Sequence, residues 1–104
     1  MPNGADRNWV RFRAAVDGFR YRFGEWPSTL RLDSKLATNL RDFLGDDAFR
    51  ALQGKLTIHI DEQAKFIAED ERGRKYDYSR EGFPPEQPRP SVEEWLGVVP
   101  ESEW

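Results

Sequence analysis

Alternation of apolar and polar residues is the clearest pattern in the first quarter of the chain. Apolar residues recur at every second position in residues 10–16 and again in residues 19–23, and Asp17-Gly18 separates the two runs. Period-two alternation is typical of strands with one buried face. Asp-Gly is favoured in two-residue hairpin turns, because both positions need a positive φ. The pattern therefore predicts a β-hairpin over residues 9–23.

The middle of the chain alternates between strand and helix patterns. A short strand is predicted over 28–32, and Asp33 or Ser34 is a typical N-cap for a helix that ends at Gly45. A second, shorter helix is expected from Asp46 or Asp47 to Gly54, followed by strands over 55–61, 64–70 and 75–79. In residues 55–61, the apolar side chains are expected to point inward: Leu56, Ile58 and Ile60.

These elements predict an α+β fold with a mainly antiparallel sheet of five or six strands. The expected order is β-β-β-α-α-β-β-β, with the two mid-chain helices packed on one face of the sheet. Residues 1–81 are expected to form this single domain, and residues 82–104 a proline-rich acidic tail.

The tail has four prolines within residues 84–90, which favour an extended spacer over regular structure. Ser91 is a plausible cap for a short helix that carries Trp95 and Leu96 on one side. Those two side chains could dock on their own domain, on a second copy or on another protein. Together with Trp104, they are candidate partner-binding residues, because tryptophan is enriched among binding hot spots.

Composition excludes several classes of protein. The chain has no cysteine, so it has no disulfide framework, thiolate metal site or cysteine nucleophile. It has no apolar run long enough to span a membrane, and its first residues lack the apolar core of a secretory signal. We therefore expect a soluble cytoplasmic protein without a membrane partner.

Positive charge is concentrated near the start of the chain, where residues 1–32 hold six arginines and three acids. Four of these arginines would share one face of the predicted hairpin: Arg11, Arg13, Arg20 and Arg22. Like charges on paired strands repel one another, so such a face needs compensation. Solvent and the chain's own acids, an acidic partner protein, or the phosphates of a nucleic acid or nucleotide could each supply it. The hairpin aromatics would point away from the arginines, which weakens the nucleic-acid interpretation.

The single histidine, His59, lies two residues before Asp61 on a predicted strand, so both would project from the same face. Such a pair could act as a general base, although a surface or pairing role without catalytic function explains it better. No phosphate-binding loop, nucleophile elbow or zinc-binding motif is present. The sequence therefore predicts no catalytic residue, no metal site and no cofactor.

These observations favour a small non-enzymatic protein that acts through contacts with another protein or with itself, such as a subunit, inhibitor or adaptor. The first alternative is a protein that binds nucleic acid or a nucleotide through the arginine face. The second alternative is a small enzyme that uses His59 and Asp61.

Overall fold

A computed structural model describes residues 4–86 and 92–97. Within these residues the chain forms five helices and four strands. In chain order they are α1 (Gly4–Phe23), β1 (Thr29–Leu32), α2 (Ser34–Leu44), α3 (Asp46–Gln53), β2 (Thr57–Ile60), β3 (Ile67–Glu69), β4 (Lys75–Asp77), α4 (Tyr78–Glu81) and α5 (Val92–Leu96).

The four strands form one mixed sheet in the order β2-β1-β3-β4. β1 pairs with β2 in parallel, whereas β1 with β3 and β3 with β4 are antiparallel pairs. A parallel neighbour requires a crossover connection, which α2 and α3 supply between β1 and β2. The predicted antiparallel sheet of five or six strands in the order β-β-β-α-α-β-β-β is therefore wrong, although the α+β class is correct.

The error lies in residues 9–23, where the chain forms the long helix α1 instead of a hairpin. Large apolar residues also recur there at helical spacing, at Trp9, Phe12, Val16, Phe19 and Phe23. This a/d spacing of three and four residues creates one apolar stripe along a helix. The same segment thus satisfies both periods, and packing against the rest of the protein selects the helix.

The Asp17-Gly18 pair, which suggested a turn, has two other functions inside α1. A Cβ atom at Gly18 would lie 2.3 Å from Cε1 of Tyr76, so the absent side chain lets the helix approach the β4 ring closely. Asp17 is buried, and its Oδ1 accepts a hydrogen bond from the backbone N–H of Val92 at 3.0 Å. The pair therefore joins α1 to the sheet and to the start of α5.

The core lies between α1 and one face of the sheet. Leu30 in β1 pairs in register with Ala68 in β3, which in turn pairs with Tyr76 in β4, and all three side chains are buried. The opposite face of the sheet is polar and carries Arg31 and Glu69. A sheet with one covered face and one polar face requires the alternation that these strands show.

The mid-chain elements agree with the sequence predictions. Asp33 is the N-cap of α2, and its Oδ1 accepts a hydrogen bond from the Leu36 N–H at 2.7 Å. The predicted helix α3 and the strands β1, β2, β3 and β4 are all present. One detail differs, because Ile60 at the end of the edge strand β2 is 49% exposed instead of pointing inward.

The short helix α5 packs against the core of the domain. Val92 and Leu96 are buried in the same core cluster as Trp9 and Phe12. The described part of the tail thus packs on its own domain. No helix in the described ranges is both long enough and apolar enough to cross a membrane.

The contact between Gly18 and Tyr76 yields a stability prediction. Alanine has a higher helix propensity than glycine, yet we expect Gly18→Ala to lower the free energy of unfolding by about 2 kcal/mol, because the new methyl group overlaps the buried ring. Urea unfolding followed by circular dichroism measures the change.

The matched background is Tyr76→Val, which removes the ring atoms that the methyl group would meet. In that background Gly18→Ala should raise stability, by up to about 1 kcal/mol, through helix propensity alone. The same destabilisation in both backgrounds would contradict the proposed contact.

Candidate functional site

The four candidate arginines lie on α1 and do not share one face. A helix rotates by about 100° per residue, so Arg11 and Arg22 project from nearly the same side. Arg13 and Arg20 project from the opposite side by the same geometry. The continuous cationic face predicted from a hairpin is therefore wrong.

Each of these arginines also has contacts within the protein. Arg22 pairs with Glu81, and its guanidinium lies 5.0 Å from the centre of the Tyr76 ring. Arg20 donates to the carbonyl of Gly24 and lies over Trp26, while Arg13 lies 5.9 Å from the Trp9 ring. Arg11 donates to Oδ1 of Asn8 at 3.3 Å.

The tail residues Trp95 and Leu96 both contact the domain. The Trp95 and Trp26 rings stack at 4.4 Å with an angle of 3° between them, and Leu96 is buried. Arg20 lies 5.3 Å from the centre of the Trp26 ring, and Lys55 lies 5.5 Å from that of Trp95. The stacked indoles and the buried Leu96 hold α5 against the domain. Trp104 lies outside the described residues.

The histidine and its neighbouring carboxylate lie at the edge strand and are exposed or half-exposed. His59 pairs in register with Arg31, and the guanidinium of Arg31 bridges Asp61 at 3.2 Å and Glu69 at 2.7 Å. The backbone N–H of Gln63 donates to the second oxygen of Asp61. These contacts occupy the Asp61 carboxylate, and no hydrogen bond joins it to His59 among the described residues.

The residues that the structure describes contain no cluster of three histidine or carboxylate side chains suited to a metal ion. The acidic residues Asp42, Asp46 and Asp47 surround a surface depression beside Arg41, and Arg41 pairs with Asp46 at 3.3 Å. This depression is open and charged, so it offers no enclosed position for a ligand.

The most distinctive surface feature is a groove beside the C-terminal end of α1, which we call the aromatic groove. It has a volume of about 700 Å³ and is lined by Tyr21, Arg22, Tyr76, Glu81, Phe83 and Pro85. Phe83 is 60% exposed and Tyr21 is 47% exposed. Of the large hydrophobic side chains that are exposed in the described ranges, only Ile60 lies elsewhere. Exposed apolar side chains that cluster are typical of interaction sites.

The lining of the groove is held in place by polar contacts. The Glu81 carboxylate accepts two hydrogen bonds from Arg22, which lower the pKa of Glu81 and raise that of Arg22. The Tyr76 hydroxyl donates to the carbonyl of Gly82 at 2.9 Å, and burial raises the pKa of this phenol. Phe83 contacts Tyr78 edge to face at 5.5 Å. The groove is therefore preorganised around a neutral ion pair.

Sequence analysis did not identify this groove. The predicted hairpin would have placed Tyr21 in the core, and α4, which carries Glu81, was expected to be the end of a strand. The only local signal was Phe83, a large apolar residue directly before two prolines.

Comparison with known proteins identifies no relative of this chain. No protein-family model matches the chain, and no curated protein or solved structure is significantly similar to it. Any function must therefore be argued from the geometry of the chain itself.

The ion pairs on the open sheet face give a pH prediction. The Gln63 N–H and then the Arg31 guanidinium lower the pKa of Asp61. Such a carboxylate stabilises the fold above its unfolded pKa, near 3.9, and this contribution is lost as the pH falls through the lower folded value. We expect Asp61→Asn to be less stable than the natural protein at neutral pH, and the two to converge in acid.

Urea unfolding at a series of pH values measures this convergence. Asp47→Asn is the control, because its side chain is 95% exposed and its nearest cation, Arg50, is 3.8 Å away. A stability difference for Asp61→Asn that persists at the lowest pH would show that charge is not its cause.

Proposed function

We propose that this protein is a non-enzymatic binding protein that takes an extended, proline-containing segment of a partner protein in the aromatic groove. The observation that carries the proposal is the clustering of Tyr21 and Phe83, both largely exposed, on one groove beside Arg22.

The composition of the groove supports contact with a protein. Tyrosine, phenylalanine and arginine are enriched in protein interfaces, and hot spots favour tyrosine and arginine in particular. Tyr76 and Arg22 are already ordered by their contacts with Gly82 and Glu81, so binding would immobilise few side chains. Preorganised rings of this kind bind with a small loss of entropy.

The shape and contacts of the groove favour proline in the bound segment. Pro85 of the chain itself lines the groove together with Phe83, so a pyrrolidine ring is already part of its wall. Aromatic-lined grooves are the usual docking sites for polyproline II segments, which are extended before they bind. The bound segment would extend past Pro85 along Tyr21 and the Tyr76 ring.

The two alternatives have less support. Nucleic-acid binding through the four arginines would need them on one surface, yet they project from opposite sides of α1. Catalysis by His59 and Asp61 would need a positioned acid or base, whereas the Asp61 carboxylate is engaged by Arg31 and Gln63.

Titration of the isotopically labelled protein with a short synthetic proline-rich peptide tests the proposal by NMR. We expect shift changes centred on Tyr21, Tyr76 and Phe83. Tyr21→Ala and Phe83→Ala should each weaken binding about thirtyfold, the effect of losing a hot-spot side chain of about 2 kcal/mol. Both side chains are exposed, so the fold should be retained.

Two controls make the test specific. Ile60→Ala removes a similarly exposed apolar side chain from the edge strand, outside the groove, and should leave affinity unchanged. A peptide with alanine in place of each proline should bind much more weakly. Equal affinity for both peptides, or shift changes away from the groove, would refute the proposal. Concentration-dependent dimerisation that Tyr21→Ala abolishes would identify the partner as a second copy.

A further inference from the structure

A second concave site lies beside the N-terminal half of α1 and shares no lining residue with the aromatic groove. This cleft has a volume of about 300 Å³ and is enclosed by α1, α2, the approach to β3 and α4. Its lining residues are Arg11, Leu36, Lys65, Phe66, Tyr78 and Ser79. This volume is at the lower end of the range for small-molecule sites.

Neither cation of the cleft forms an ion pair with a carboxylate of the described residues. Six arginines form ion pairs with carboxylates: Arg22, Arg31, Arg41, Arg50, Arg72 and Arg74. Within the described ranges, Arg11 instead bonds to the neutral amide of Asn8, and Lys65 has no carboxylate within ion-pair distance. Two cations that line one concave surface without internal neutralisation favour an anionic ligand.

The Asp77 carboxylate, which contacts Ser79, forms no ion pair with Arg11 or Lys65. Asp77 accepts from both the backbone N–H and the hydroxyl of Ser79, at 3.0 and 2.7 Å, and so caps α4. Because the Ser79 hydroxyl donates to Asp77, only its lone pairs remain, and these can accept a hydrogen bond from a donor group of a ligand.

The backbone at the cleft is strained. Phe66 has a φ of +55°, the only positive φ of a residue other than glycine in the described part of the chain. Its carbonyl accepts a hydrogen bond from the Tyr78 N–H at 3.2 Å, which ties the approach to β3 to the start of α4. Left-handed conformations of bulky residues are concentrated at functional sites, where the surrounding structure maintains them.

The cleft combines charged and apolar lining. Leu36 and Tyr78 are partly exposed and supply an aliphatic and an aromatic surface beside the cations, whereas the Phe66 side chain is buried in the core. A site with a few convergent charges beside apolar surfaces is typical of pockets for small organic ligands. We infer that this cleft binds a small organic anion, with its carboxylate or phosphate between Arg11 and Lys65 and its apolar body against Leu36 and Tyr78.

Calorimetric titration of the full chain with four probes tests this inference: phenyl phosphate, benzoate, inorganic phosphate and benzyl alcohol. We expect at least one of the two aromatic anions to bind, and its affinity should be at least tenfold higher than that of inorganic phosphate or benzyl alcohol. The preferred anion distinguishes a phosphate ester from a carboxylic acid as the natural ligand class.

Substitutions of the lining cations test whether the aromatic anion binds in this cleft. Arg11→Gln and Lys65→Gln should each weaken the aromatic anion about tenfold, because each removes a charge-assisted contact. Arg11→Lys keeps the positive charge and should weaken binding of the aromatic anion less than Arg11→Gln does. This comparison separates the loss of charge from any change of fold. Lys75→Gln removes a lysine of β4 that lies outside the cleft and should have no effect.

Three results would overturn the inference: no binding by either aromatic anion, equal binding of benzyl alcohol, or unchanged affinity in both Arg11→Gln and Lys65→Gln. The inference is independent of the proposed peptide site, because Tyr21→Ala should leave anion binding unaltered and Lys65→Gln should leave peptide binding unaltered.

Discussion

The structure depends on the burial of α1 along its middle turns. Every residue from Ala14 to Phe19 is buried, so this stretch of the helix is enclosed on all sides. The sheet covers one side through the approach of Gly18 to Tyr76, and the returning tail covers another through the bond from Val92 to Asp17. Such crowding requires small residues where another element comes close and a hydrogen-bond partner for a buried carboxylate, which accounts for the alanines, the glycine and the buried aspartate.

Sequence reasoning succeeded where signals were local and failed where tertiary contacts decided the structure. The Asp33 cap and the apolar stripe of α2 are complete within a few residues, so the helix was predicted correctly. In residues 9–23, the apolar positions fit both the period of a strand and the heptad spacing of a helix. Asp17-Gly18 is typical of a turn, and only its contacts with Tyr76 and Val92 explain why it lies inside a helix. A short window of sequence contains neither contact. The parallel pairing of β1 with β2 was missed because it too depends on distant residues.

The two proposed sites could not have been found from sequence, since each gathers residues from distant elements. The aromatic groove combines the end of α1 with β4 and residues 81–85, and the cleft combines α1 and α2 with the approach to β3 and with α4. The two sites meet where the ring of Tyr78 contacts the ring of Phe83. This edge-to-face pair joins the lining of the cleft to the lining of the groove.

The bond from Val92 to Asp17 spans 75 residues, and it has a consequence for synthesis on the ribosome. α1 is synthesised well before Val92 and Leu96, which are part of its core cluster. Until those residues leave the exit tunnel, one side of the nascent helix has no native partner. The domain can therefore complete its core only after Val92 and Leu96 have been synthesised, and a chain that stops before Val92 should leave apolar surface of α1 uncovered.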